Sequence, residues 1–125
     1  MAGRLVPLVL LPRYTTLAGQ PGGPGYYTTV PIEVDAYSRA ILTVWRGKMR
    51  AATDFSFTCW ESTDQVAWEE CAGDNAEDFD PGAEAEGVVK ATLTRRWLRL
   101  GVIVAGLADA QATCWAVGHL EERER

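Results

Sequence analysis

The chain has 125 residues, 47% of them hydrophobic and 23% charged, which are the values of a folded domain and exclude disorder over most of its length. The length fits one domain. A formal net charge of −5 repels phosphate backbones, and Lys48, Arg50, Arg95, Arg96 and Arg99 are too few to reverse it, so direct nucleic-acid binding is not expected.

Met1 to Tyr14 opens with an apolar run, Leu5 to Leu11, behind Arg4. Pro7 interrupts the run, and Pro12-Arg13-Tyr14 stands where a signal peptide would carry small cleavage-site residues. It is also too short to span a bilayer, so no membrane association is expected. Two readings stay open: an edge strand with prolines at tolerated positions, or an extended arm packing on a neighbouring subunit. Ala18 to Gly25 is almost entirely Gly and Pro and reads as a loop. Tyr26 to Val34 is rich in β-formers, with Pro31 confining it to an edge or bulge. After a turn at Asp35 to Arg39, the stretch Ala40 to Met49 alternates Leu42 and Val44 against Ile41, Thr43 and Trp45, so both faces of this strand are expected to be partly covered.

Phe55 to Cys71 reads as a β-hairpin. Phe55, Phe57 and Cys59 share one parity, Val66, Trp68 and Glu70 share the other arm, and Glu61-Ser62-Thr63-Asp64-Gln65 supplies side chains that bond nearby backbone amides and stabilise a reversal. An isolated hairpin is marginal in water, so other strands must cover it. Cys71 to Gly87 carries six carboxylates and no basic residue, which predicts a solvated, extended acidic loop. Asp78 to Gly82 lacks the spacing of a calcium loop, and Pro81 sets it further apart. Val88 to Leu93 is a strand and Thr94-Arg95-Arg96 a turn. Trp97 to Ala105 has the clearest period of two, with Leu98, Leu100, Val102 and Val104 opposite Trp97, Arg99, Gly101 and Ile103, and belongs mid-sheet. Gly106 to Ala110 reads as a loop, Ala112 to Leu120 as the last strand, and Glu121 to Arg125 as a frayed charged end. Thr58-Cys59-Trp60 and Thr113-Cys114-Trp115 share a step that points a thiol to the core and an indole to the reverse face.

Seven or eight short strands without an amphipathic helix predict an all-β fold, an antiparallel β-sandwich or jelly roll. It divides into an N-terminal apolar arm and Gly/Pro loop over 1–25, a sandwich over 26–120 and a charged end over 121–125. The cysteines, Cys59, Cys71 and Cys114, cannot all pair and are expected to be reduced thiols, while His119 is too remote in sequence from Cys59 and Cys71 to complete a zinc site. No nucleophile, base or metal-ligand constellation appears: Ser62 has no nucleophile-elbow frame, no glycine-rich phosphate loop opens a helix, and Glu61 with Asp64 sits on a turn that cannot exclude water. No enzymatic activity, cofactor or metal is expected. Five tryptophans are many for this length; most are expected in core or inter-sheet packing, with Trp45 and Trp97, each beside an Arg, as the interface candidates by cation-π stacking or a shared outer face.

The order of Tyr37-Ser38-Arg39-Ala40, then Glu61 to Gln65 followed by Trp68, then Thr94 to Leu100, then Cys114 to Gly118 resembles the small β-sandwich structural proteins of tailed bacteriophages, over roughly Pro31 to Glu122. The resemblance implies a virion component made in the bacterial host cytoplasm, a capsid decoration or minor head protein that binds the major capsid protein or other virion proteins and forms homo-oligomers. Under it, partner contact is expected from Leu5, Val6, Leu8, Val9, Leu10, Leu11 and Tyr14 of the arm, with Trp45, Arg46, Trp97 and Arg99. The alternatives are a carbohydrate-binding sandwich used in host attachment and a tail-associated structural protein.

Overall fold

The computed structural model describes residues 4–18, 25–47, 50–79 and 84–123, excluding the side chains of 50–54 and 106–111. Ten strands run β1 (Leu5–Ala18), β2 (Gly25–Thr28), β3 (Ile32–Glu33), β4 (Tyr37–Arg46), β5 (Arg50–Ser62), β6 (Glu69–Glu70), β7 (Ala72–Asp74), β8 (Ala76–Phe79), β9 (Ala85–Thr92) and β10 (Trp97–Glu122). All pair antiparallel, in two sheets of 5 and 6 strands packed as a β-sandwich.

The arrangement is organised by β10, which belongs to both sheets. Its second half lies between β1 and β4, and its first half between β5 on one side and β2 and β3 on the other. β1, β2 and β3 follow β10 along one edge, from Leu5 opposite Glu121 to Glu33 opposite Trp97. β4 and β5 follow the other edge, from Tyr37 opposite Glu122 to Ser62 opposite Trp97. A fourth run pairs β9 with β4 and β8 and β6 with β5. The molecule is therefore one wide antiparallel sheet folded over on itself. We call the layer of β1, the second half of β10, β4, β9 and β7 sheet one, and the rest sheet two.

The fold line brings the apolar parities together. Leu98, Leu100, Val102 and Val104 of β10 face Leu42, Val44, Val89, Ala91 and Ala116 of sheet one, with Phe55, Phe57 and Cys59 beside them, and all of these are buried. Phe57 makes edge-to-face contacts with Phe55 and Phe79 at ring-centroid distances of 5.2 and 5.9 Å. The period-two reading of Trp97 to Ala105 and its mid-sheet position hold, as do both faces of β4 and the inward thiols of Cys59 and Cys114. Burial pushes those two thiols up to about 12 and raises that of Cys71 as well, because a thiolate there would be desolvated. All three cysteines are unpaired.

The expected turn chemistry is present. Ser62 Oγ accepts from the amides of Asp64 (3.2 Å) and Gln65 (2.8 Å), and Asp64 Oδ1 accepts from Val66 (2.9 Å) and Ala67 (3.0 Å). The second arm of the hairpin is shorter than expected, only Glu69 and Glu70, because Val66 is spent in the turn.

Three expectations are corrected. Cys71 to Gly87 is not simply a solvated loop: β8 pairs with β5 and β7 with β9, and Phe79, tucked against Phe57, anchors a segment in which Asp74, Asp78, Glu84 and Glu86 are exposed while Glu77, on the parity of Phe79, is half-buried beside Gly87. Gly106 to Ala110 is not a loop between strands, since β10 runs through it with a register irregularity against β5. The charged end is paired as far as Glu122, and Arg123 donates to the carbonyls of Asp35 (3.1 Å) and Leu93 (3.1 Å). The Gly/Pro loop at 19–24, the 80–83 part of the rejected calcium segment and residues 124–125 lie outside the described residues.

Candidate functional site

The outer faces of the two sheets differ, and each carries a candidate surface. On sheet one, pairing sets Val9, Val117, Thr43 and Val88 side by side across four strands. A second row is Pro7, His119, Ile41 and Lys90, and a third sets Trp115 beside Trp45. All of these point away from the core, and Val9 and Val88 are 59% and 47% exposed. A sheet that is apolar on its outer as well as its inner face is typical of sheets covered on both sides.

The two indoles of the third row stack, with ring centroids 4.0 Å apart and planes 15° off parallel. A bulge in β1 completes the cluster. Between Leu11, opposite Ala116, and Thr15, opposite Cys114, β1 advances four residues to two on β10. Thr15 Oγ1 donates to the Pro12 carbonyl (2.7 Å) across the bulge, and Tyr14 adopts φ 66, in the left-handed region that bulges favour. The excursion sets the Tyr14 ring edge-on to Trp115 at 5.8 Å and the Arg13 guanidinium over it at 4.7 Å.

Among the residues expected at a partner contact, Leu5, Val9 and Tyr14 are exposed, and Trp45 is half-buried in the indole stack. Leu8 and Leu10 lie in the core, with Val6 and Leu11 packed against it. The N-terminal segment is thus the outer strand of sheet one, held inward by alternate leucines. Arg46 is fully buried: its Nε donates to the Gly47 carbonyl at 3.1 Å, and its guanidinium lies 5.7 and 5.8 Å from the rings of Phe55 and Phe79. Desolvation lowers its pKa. Trp45 and Trp97 do not share a face, because they belong to different sheets; Arg96, not Arg99, lies over Trp97, at 5.5 Å.

The expectation that most tryptophans fill the core is also corrected. All five are half-buried on outer surfaces, while Leu, Val, Phe, Ala and Cys fill the interior. The alternation that sends Cys59 and Cys114 inward sends Trp60 and Trp115 outward.

On sheet two the outward parity builds a groove of about 520 Å³. Its floor is the row Thr28, Gly101 and Thr58. Tyr26 and Ile103 stand on one side, and Trp60, Trp68 and Arg99 on the other. The Trp60 indole leans over Gly101, its Nε1 2.9 Å from where a Cβ would be, so only glycine leaves it that position. Trp68 is fixed twice: its Nε1 donates to the Gln65 carbonyl at 3.2 Å, and the Arg99 guanidinium covers its ring at 4.0 Å. The Nε of Arg99 is buried and has no hydrogen-bond partner. Behind the groove's turn, the buried Glu61 carboxylate accepts from Thr94 N (2.9 Å), Thr94 Oγ1 (2.9 Å) and Arg95 N (3.1 Å), tying the 63–67 turn to the 94–96 turn. Sequence alternation already set Arg99 and Gly101 on one face, but the arrival of Trp68 from a turn carries no periodic signal.

Among the described residues, no group of three His, Cys, Asp or Glu side chains is placed to hold a metal. The architecture is a jelly-roll β-sandwich. No protein-family model matches the chain, and no curated protein matches it in sequence. Solved structures share the fold at low identity. A structure of infectious bursal disease virus, Gx strain, is similar with a TM-score of 0.64 at 11% identity, covering 95% of this chain and 32% of that one. The PBSX exported protein XepA gives 0.58 at 17%, covering 96% and 39%. A family 16 carbohydrate-binding module gives 0.57 at 10%, covering 83% and 73%. The chain thus spans well under half the length of the first two.

Proposed function

We propose that this chain is a structural component of a tailed-phage particle, a head decoration or minor head protein that acts by protein–protein contact and has no catalytic role. The observation that carries the reading is the outer face of sheet one, where Pro7, Val9, Ile41, Val88, Val117 and the stacked Trp45 and Trp115 present an apolar surface, interrupted by Thr43, His119, Lys90 and Glu86, over which none of the described strands packs. Such a face gains about 25 cal/mol per Å² of apolar area removed from water. On a symmetric shell the same modest contact recurs at every subunit, so occupancy does not require a large single interface. The fold likeness to a virus structure and to a phage-associated protein supports the same placement. The partners are the major capsid protein, other virion proteins or further copies of this chain. The protein is made in the host cytoplasm and is found in the virion, without direct contact to nucleic acid or membrane.

The test is sedimentation of the tagged protein from an infected or induced culture. Stoichiometric travel with the particles through moderate salt is the expected result, and recovery wholly in the slow soluble fraction overturns the proposal. Deleting residues 1–14 is a poor probe, since it takes Leu8 and Leu10 out of the core.

A further inference from the structure

The groove on sheet two is remote from the apolar face of sheet one, and its chemistry is different. It combines aromatic rings with hydroxyls and a guanidinium on a narrow floor. From this the geometry points to a second site: the groove between Tyr26 and Trp60 binds a neutral pyranose unit of an oligosaccharide. The inference stands independently of the particle assignment, because none of the groove residues belongs to the other face.

A pyranose ring has a face of C–H bonds and a rim of hydroxyls. It needs a flat apolar platform flanked by a few hydrogen-bonding groups, in the pattern of a mostly carbon-lined cleft with a small number of placed polar atoms. Here the platform is Trp60, held out over Gly101, where a Cβ would meet its indole. Trp68 forms the adjoining wall and is already immobilised by the Gln65 carbonyl and by Arg99, so little side-chain freedom is lost on binding. Thr28 and Thr58 flank Gly101 on the floor and supply hydroxyls that both donate and accept. Arg99 lines the groove wall, and its guanidinium adds N–H donors for a ligand hydroxyl oxygen.

Charge selects the neutral class. Among the described residues, Arg99 is the single ionised side chain lining the groove, and its guanidinium face is engaged by Trp68. With no second cation among them to clamp a carboxylate or phosphate and a net charge of −5 on the whole chain, the site favours a neutral sugar over an anionic one.

The experiment titrates the full-length protein, by tryptophan fluorescence and calorimetry, with neutral oligosaccharides of glucose, galactose, mannose, rhamnose and N-acetylglucosamine, and in parallel with uronic-acid oligomers. The expected result is saturable binding of at least one neutral series with a change in indole emission. Trp60→Ala and, separately, Arg99→Met should each weaken that binding by at least ~10-fold. Thermal unfolding confirms that each variant is folded, and if Trp60→Ala fails to fold, Arg99→Met alone decides. No saturable binding by any neutral sugar overturns the inference, as does binding confined to the uronic acids. So does neutral-sugar binding that the folded variants retain at wild-type strength.

Discussion

Thr58-Cys59-Trp60 in sheet two and Thr113-Cys114-Trp115 in sheet one are the same three residues with the same alternation, and they end in different environments. Both thiols are fully buried and both indoles face outward. Trp115 lies in a cluster with Trp45 stacked on it, Tyr14 at its edge and Arg13 above it. Trp60 instead leans over a glycine and leaves an open groove beside it. The local sequence sets which way each side chain points; the neighbouring strands decide whether that side chain becomes part of a packed face or the wall of a cleft. One sheet is thereby suited to a broad protein contact and the other to a small ligand.

Gly118 and Gly101, one in each half of β10, separate the two environments most strongly. A Cβ on Gly118 would lie 1.9 Å from the backbone carbonyl oxygen of Ile41, which cannot move without opening the β4–β10 pairing. Gly118→Ala should cost about 3 kcal/mol or more in urea unfolding. Next in size is the indole pair. Trp115→Ala removes a stack, an edge contact and a cation-π contact, and should destabilise by about 2 kcal/mol, against about 1 kcal/mol for Trp60→Ala, when both are measured by the same denaturant midpoint. Smaller again, Gly101→Ala meets only the Trp60 side chain, which can swing aside. Its stability should change by no more than about 1 kcal/mol while the indole emission shifts, and a loss as large as that of Gly118→Ala would erase the distinction between the two halves of the strand.

The turn that delivers Trp68 responds to pH. Amide hydrogen bonds from Val66 and Ala67 hold the Asp64 carboxyl below its usual range. Because the folded-state value is depressed, the stabilisation is complete above the unfolded value of about 3.9 and is lost as pH falls through the lower folded one. Asp64→Asn should flatten the acid limb of a plot of melting temperature against pH; an unchanged limb would mean that the turn does not depend on that charge. The smallest expected signal is common to both Thr-Cys-Trp steps. A thiol reagent at roughly pH 8 should leave the native cysteines unmodified and label them after denaturation. Rapid labelling of Cys59 or Cys114 in the native protein would contradict their inward placement.

The alternation of Trp97 to Ala105, the shared Thr-Cys-Trp step and the Ser62 and Asp64 turn were all legible, because each depends on strand period or on bonds within a few residues. What escaped the sequence depends on pairing between distant segments. Ala76 to Phe79 is a strand because β5 offers a partner and Phe57 a packing site, and six carboxylates nearby mask that single aromatic anchor. Gly106 to Ala110 has the composition of a turn, yet β10 continues through it from one sheet into the other. Most tryptophans were expected in core or inter-sheet packing, although the Thr-Cys-Trp step had already turned Trp60 and Trp115 to the reverse face; all five are half-buried on outer surfaces. Half of the groove was legible in the Arg99 and Gly101 parity, and the other half required Trp68 to fold back from its turn.

Sheet one is the face proposed to carry the particle contact. That contact is tested most directly by comparing particle sedimentation of wild-type protein with that of Val9→Glu/Val88→Glu, two exposed positions at the ends of one cross-strand row. The double variant should stay folded and move to the soluble fraction, while Val30→Glu, exposed outside both surfaces, should still travel with the particles. Stoichiometric co-sedimentation of the folded double variant would contradict the proposal.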